Sequence, residues 1–125
     1  MDQIVIDSDV FIDYSRIQTG LLPRLLDLQK QQKAELFVSS VTVFELFSGK
    51  LSLVQETSLQ DILKIVKIVP LDETIAKFAG EINRDNKINA GIADILIAAT
   101  ALFLKARLAT KNKKHFKNIP NLKFF

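Results

Sequence analysis

Three carboxylates stand where this sequence is otherwise apolar. Asp7 follows Ile4-Val5-Ile6, Glu45 lies between Phe44 and Leu46, and Asp94 precedes Ile95-Leu96-Ile97. Desolvating an unpaired carboxylate is costly, so each needs hydrogen-bond donors or a cation. Local backbone can supply donors. Asp9 stands where an N-cap would stand ahead of Val10, Phe11 and Tyr14, and Thr42 and Glu45 have the spacing of a capping box. Asp94 either caps a helix beginning at Ile95 or lies in the first turns of one that begins near Gly91. A shared cation is the other solution. Oxygen ligands without cysteine favour Mg²⁺ or Mn²⁺ over zinc. Such ions suit phosphodiester hydrolysis, because they acidify and align a water and neutralise charge on the leaving oxygen. His115, the only histidine, has no partner for a zinc site and reads as a surface or groove residue.

The charge distribution points to the same chemistry. All fourteen acids lie at or before Asp94, whereas Lys105, Arg107, Lys111, Lys113, Lys114, Lys117 and Lys123 follow without a single acid, in a chain of net charge +3. An acidic site followed by a basic segment interleaved with apolar residues suits a polyanionic partner. The absence of cysteine excludes disulfides and fits a reducing cytosol. No basic region precedes the first apolar run, so no signal peptide is expected. The longest apolar stretch, residues 95–104, falls short of the roughly 20 residues that span a bilayer. A cytoplasmic protein without a membrane partner is expected.

The elements that must position these acids alternate. Ile4-Val5-Ile6 reads as a strand buried on both faces, which puts Asp7 at its C-terminal end, where open α/β sheets hold ligands. A short helix over residues 10–17 follows, broken at Gly20 and Pro23, and a leucine-rich helix runs from Leu21 toward the polar residues 29–33. Leu36-Phe37-Val38 is a strand. Val43, Phe44, Leu46 and Phe47 form a helix stopped by Gly49, and residues 53–63 form another. Residues 65–69 form a strand ended by Pro70. Asp72 or Thr74 caps a helix carrying Ile75, Phe78, Ala79 and Ile82 on one face, with a loop over residues 83–89. Residues 91–105 are the strongest helix and nearly apolar throughout. Leu108-Ala109-Thr110 is a strand leading into a basic loop or small helix, and Leu122-Lys123-Phe124 is a final edge strand. This alternation predicts a three-layer α/β/α sandwich with a mainly parallel central sheet, in one domain of 125 residues.

Four motifs in order resemble the PIN-domain nucleases, and most closely the VapC-type toxins of prokaryotic toxin–antitoxin pairs. Asp7-Ser8-Asp9 matches the opening Asp-Thr/Ser-Asn/Asp element. The segment from Ser39 through Leu46 matches Ser-x-x-Thr-x-x-Glu-Leu. The run from Asp94 through Ala101 matches Asp-x-x-Ile-Ala-Ala, and Thr110-Lys111-Asn112-Lys113-Lys114-His115-Phe116 matches the late Thr-x-Asn element. The likeness covers nearly the whole chain. It implies a metal-dependent endoribonuclease acting on transfer or ribosomal RNA, with Asp7, Glu45 and Asp94 holding Mg²⁺ (or Mn²⁺) and leaving a 5′-phosphate and a 3′-hydroxyl. Many members carry an acid at the position of Asn112 or His115. Here Asn112 offers only a neutral oxygen or positions a water, so one tightly held ion is favoured. Ser8, Asp9 and Thr110 are then expected to orient the carboxylates or a water, with Asp9 mainly a helix cap. Lys111, Lys113, Lys114 and His115 are expected at the RNA, and Phe11, Tyr14 and Phe116 are the aromatics near the site by sequence, with Phe11 read as core and the other two as candidates to stack on bases. A homodimer is also implied, as is a small antitoxin whose C-terminal segment fills the active-site groove. Leu21 to Leu28, Phe44 and Phe47 are the candidate surfaces for these contacts.

Two other classes compete. Asp7-Ser8-Asp9-Val10 is half of the opening motif of haloacid-dehalogenase-like phosphohydrolases, but no paired acidic motif follows downstream. A binding protein that keeps the fold without turnover is supported only by Asn112 and His115.

Overall fold

Four strands, β1 (Asp2–Ile6), β2 (Ala34–Ser39), β3 (Lys67–Val69) and β4 (Arg107–Ala109), lie in the order β3-β2-β1-β4, and every pairing is parallel. They belong to a computed structural model that describes the whole chain, Met1–Phe125. Six helices connect and cover them: α1 (Ser8–Ile17), α2 (Leu21–Lys30), α3 (Ser40–Ser48), α4 (Leu53–Leu63), α5 (Glu73–Asp85) and α6 (Ile92–Leu104). A 3₁₀ turn at Lys113–Phe116 follows β4.

The strand pattern sorts side chains onto two faces, as a two-residue period requires. Val5, Phe37 and Leu108 point to one side and pack with Ile75, Ala79 and Ile82 of α5 and with Ile95, Ile97, Ala98 and Ala101 of α6. Ile4, Ile6, Leu36, Val38 and Ala109 point to the other side, against Val10 and Phe11 of α1, Leu22 and Leu25 of α2, Leu46 of α3 and Leu59 of α4. The register agrees: Val5 lies opposite Phe37 and Leu108, and Ile6 opposite Ala109. Ile4, Val5 and Ile6 are all inaccessible to solvent, each contributing about 1.5–3 kcal/mol of transfer free energy. The expected α/β/α sandwich is the observed one.

Topology then fixes where a ligand can sit. The chain builds β1, β2 and β3 outward, then returns to place β4 on the other side of β1. The direction reverses between β1 and β4, and their C-terminal ends open the crevice that such sheets use for binding. The Asp7 N–H donates to the Ala109 carbonyl at 2.9 Å, carrying the ladder to that edge.

Several local expectations are corrected. Asp7, not Asp9, caps α1, accepting from the Ser8 N–H. Ser39 caps α3 by accepting from the Val41 N–H, so Thr42 and Glu45 form no capping box. Ser39 comes at the end of β2, and its hydroxyl reaches the helix start before Thr42 can. Pro23 does not break the chain; it sits in the first turn of α2, where its missing N–H has no intrahelical partner to lose. Asp72 is the cap of α5, which continues through Asp85 into the expected loop. The last strand reduces to one bridge between Leu108 and Phe124. Leu22 and Leu25 are fully buried, whereas Leu21, Leu26 and Leu28 pack against the same core and stay partly accessible, so only part of the leucine-rich helix is interior. Phe44 and Phe47 do remain exposed.

Candidate active site

Asp7, Asp9 and Glu45 lie at the crevice between β1 and β4, linked through Ser8 and Thr110. Asp7 is almost completely buried. Its Oδ1 accepts the Ser8 N–H at 2.8 Å, and its Oδ2 accepts the Thr110 hydroxyl at 2.8 Å. The Ser8 hydroxyl donates to Glu45 Oε1 at 2.8 Å, bringing the middle of α3 to the end of β1. Thr110 Oγ1 also lies 3.2 Å from Asp9 Oδ2, and accepts the Asn112 N–H at 3.1 Å. Asp9 Oδ2 takes the Lys111 N–H at 3.0 Å. Asp9 therefore ties α1 to the loop after β4.

The electrostatics follow from crowding. Burial raises the Asp7 carboxyl from its ordinary value to about 7, and the neighbouring charges of Asp9 and Asp94 push the same way against the hydrogen bonds from Thr110 and Ser8. Burial also raises Asp9, opposed by the Lys111 N–H and the Thr110 hydroxyl. Asp94 lies in the first turn of α6. Its Oδ2 is 3.7 Å from His115 Nδ1.

Donor chemistry fits a hard cation: the acids offer only oxygen, and one oxygen lacks a partner. Asp9 Oδ1 is buried and accepts nothing, an arrangement a cation or ordered water relieves. As the side chains stand, however, no three acid or imidazole groups converge closely enough to chelate an ion. Asp7 and Glu45 are neighbours through Ser8, whose N–H serves the first and whose hydroxyl serves the second, rather than arms of a finished cage.

The expected RNA contacts divide. Lys113, Lys114 and His115 are exposed, and the Lys113 ammonium leans over the Phe124 ring. Lys111 is engaged instead: its Nζ is 2.6 Å from Asp13 Oδ1. Phe11 and Phe116 are buried core side chains and cannot stack on a base. Tyr14 lines a cavity of about 420 Å³ beside Glu45, together with Leu46, Lys50 and Leu51. Asn112 is exposed, with its N–H turned to Thr110. Sequence reasoning missed Asp13 and its neighbour Gly20, where an added Cβ would lie 2.7 Å from Asp13 Oδ2. One signal was available: Asp9 and Asp13 are four residues apart on a helix and so share a face.

A parallel α/β sheet with a buried carboxylate and further acids at its switch point defines the class. The chain belongs to the PIN-domain family, whose sequence model matches residues 4–122. Its likeness within that family is to the VapC type. Ribonuclease VapC10 of Mycobacterium tuberculosis is 33% identical over 125 residues, covering 96% of this chain and 90% of its own. Ribonuclease VapC1 of Methanocaldococcus jannaschii is 32% identical over 120 residues, covering 94% of this chain and 81% of its own. The fold matches the structure of VapBC2 from Rickettsia felis bound to a promoter DNA fragment, with a TM-score of 0.85 at 22% identity, over 98% of this chain and 97% of that one. DNA-bound VapBC from Salmonella typhimurium gives a TM-score of 0.84 at 19% identity, over 100% of this chain and 98% of that one. No helix is long and apolar enough to cross a membrane.

Proposed function

We propose that this protein is the endoribonuclease toxin of a type II toxin–antitoxin pair, hydrolysing phosphodiester bonds in transfer or ribosomal RNA with Mg²⁺ or Mn²⁺. The observation that carries the reading is the hydroxyl-bridged set at the switch point, in which Ser8 joins Asp7 to Glu45 at 2.8 Å and Thr110 holds the far oxygen of Asp7. Asp7, Glu45 and Asp94 would hold the cation. A bound divalent ion supplies the positive charge that activates water and offsets charge on the scissile phosphate.

The protein's own residues do the rest. Ser8 and Thr110 orient the two oxygens of Asp7 in different directions, and Thr110 also fixes Asp9. Lys113 and Lys114 contact backbone phosphates without reading sequence. The cavity beside Glu45, with Tyr14 on its wall, supports entry of an RNA base or of an antitoxin segment. Exposed Phe44, Phe47 and Ile92 support a homodimer face. Relatives named as VapBC assemblies support an antitoxin partner.

The test is labelled total RNA incubated with the full chain in Mg²⁺ or Mn²⁺. Metal-dependent cuts that vanish in Asp7→Asn and Asp94→Asn support the nuclease. Binding without cuts in either metal defeats it and favours the non-catalytic alternative.

A further inference from the structure

Asp94 has a different polar environment from the other acids of the site. Asp7 and Glu45 are each held by a hydroxyl. The one basic side chain within 4.0 Å of Asp94 is His115, with Nδ1 3.7 Å from Asp94 Oδ2. The imidazole is exposed, but the backbone that carries it is anchored. The next residue, Phe116, is buried in the core beneath α6 and packs edge-on to Phe124. The His115 N–H closes the turn onto the Asn112 carbonyl at 3.0 Å. This anchor places residue 115 beside the first turn of α6, on the side of the site where residues 112 and 115 provide no carboxylate.

We propose that His115 is a nitrogen ligand to a divalent cation held at Asp94, and that it biases the site toward Mn²⁺ and Co²⁺ over Mg²⁺. The inference rests on the divalent-cation reading above and assigns His115 a role other than RNA contact. The chemistry has a direction. Mg²⁺ demands oxygen ligands in near-ideal octahedral geometry and dehydrates reluctantly. Imidazole raises affinity for first-row transition ions in the order Mn²⁺ < Co²⁺ < Ni²⁺. An aspartate at this position would add charge and favour every divalent ion; a histidine adds selectivity instead. A plain His115–Asp94 ion pair is the alternative. With both groups partly exposed, it contributes little to stability.

The test is equilibrium binding of Mn²⁺, Co²⁺ and Mg²⁺ to the full chain, compared with His115→Gln and His115→Asp. It is paired with electron spin-echo spectroscopy of bound Mn²⁺ to detect a coupled ¹⁴N nucleus. The expected result is a nitrogen coupling in the wild type that disappears in His115→Gln. Mn²⁺ and Co²⁺ affinity should then fall about tenfold or more while Mg²⁺ affinity changes little. His115→Asp is expected to restore affinity without the coupling and without the preference. Mn²⁺ binding with no nitrogen coupling, and equal affinity in His115→Gln, overturns the inference and leaves the cation reading intact. No binding of any of the three ions to the wild type overturns both. Unchanged thermal unfolding of the variants identifies a change in metal affinity as local, since His115 itself is exposed.

Discussion

The acidic site has two sides built to different standards. Around Asp7, hydrogen bonds no longer than 3.2 Å connect Ser8, Thr110, Asp9, Glu45 and the Lys111 and Asn112 amides, and the central carboxylate is buried. Around Asp94, the carboxylate is partly exposed, with a single imidazole 3.7 Å away. The first side is ordered by the sheet, because β1 and β4 are hydrogen-bonded neighbours and their ends must meet. The second is carried by α6 and the 3₁₀ turn, which touch the sheet through apolar side chains and leave polar geometry free. The comparison teaches that folding alone completes one half of the site, whereas the other half stays open for what binds there.

Asp7→Asn gives the largest expected effect, and it moves activity and stability in opposite directions. Under the proposed function Asp7 would be a charged ligand, and its loss would remove several kcal/mol of charge stabilisation, so RNA cleavage is expected to fall about a thousandfold. Stability without metal should rise at neutral pH. A buried carboxyl raised from 3.8 to about 7 binds its proton more tightly in the folded chain than in the unfolded one. The resulting penalty is absent below the unfolded value, grows as pH rises from about 4, and is complete above about 7. Urea unfolding of wild type and Asp7→Asn should therefore coincide near pH 4 and diverge by pH 8, with the variant more stable by on the order of a few kcal/mol. Saturating Mn²⁺ should close part of that gap from the wild-type side. Curves that stay parallel across this range would show that Asp7 is not penalised by burial.

Thr110→Val addresses the connection between the two strands. The hydroxyl serves Asp7, Asp9 and the Asn112 amide at once. Its removal leaves Asp7 Oδ2 and the Asn112 amide short of a partner, while Asp9 keeps the Lys111 N–H, and is expected to cost roughly 1–3 kcal/mol in urea unfolding at neutral pH. Cleavage should drop about 10- to 100-fold, the range typical of groups that orient ligands. Because the hydroxyl lowers both carboxyls, its loss should steepen the decline of stability with rising pH. A Thr110→Ser variant should recover most of both losses.

The sequence made the architecture legible because apolar runs and punctuation agree. Ile4-Val5-Ile6 and the apolar residues of α6 admit few readings, and parallel alternation followed from them. Caps were less legible. Asp7 and Asp9 are both competent N-caps, and the choice depends on where β1 stops, which the Asp7–Ala109 bond decides. The Thr42–Glu45 spacing lost to Ser39 for a similar reason. The roles of basic residues were the least legible, because a lysine's partner is set by tertiary placement. Lys111 looked like Lys113 and Lys114 until α1 placed Asp13 opposite it. The approach of His115 to Asp94 lies beyond local spacing altogether, since it depends on how α6 meets the 3₁₀ turn.

Gly20→Ala measures how far the ordered side extends. Gly20 has φ +93°, and a Cβ there would lie 2.7 Å from Asp13 Oδ2. Asp13 is held on its other side by Lys111, so relieving the contact disturbs that pair. Backbone strain and crowding together should cost about 1 kcal/mol or more in urea unfolding, with a smaller effect on cleavage. A neutral Gly20→Ala would place the limit of the rigid network inside Asp13.

Lys111→Met is expected to do least, and that small effect discriminates. The Lys111–Asp13 pair is partly exposed, so its loss should cost at most about 1 kcal/mol. The Lys111 amide still donates to Asp9 Oδ2 whatever the side chain, so the carboxylate network survives. The informative quantity is the salt dependence of RNA binding, measured with Asp7→Asn as a cleavage-poor background. A lysine that neutralises one phosphate of a single strand contributes about 0.7 to the slope of log affinity against log salt. Lys114→Met should reduce the slope by about that amount, because this ammonium is exposed and makes no ion pair within the chain. Lys111→Met should leave the slope unchanged, because its charge is already committed to Asp13. Equal reductions from both would mean that RNA draws Lys111 away from Asp13, and the clamp on α1 would then open as substrate binds.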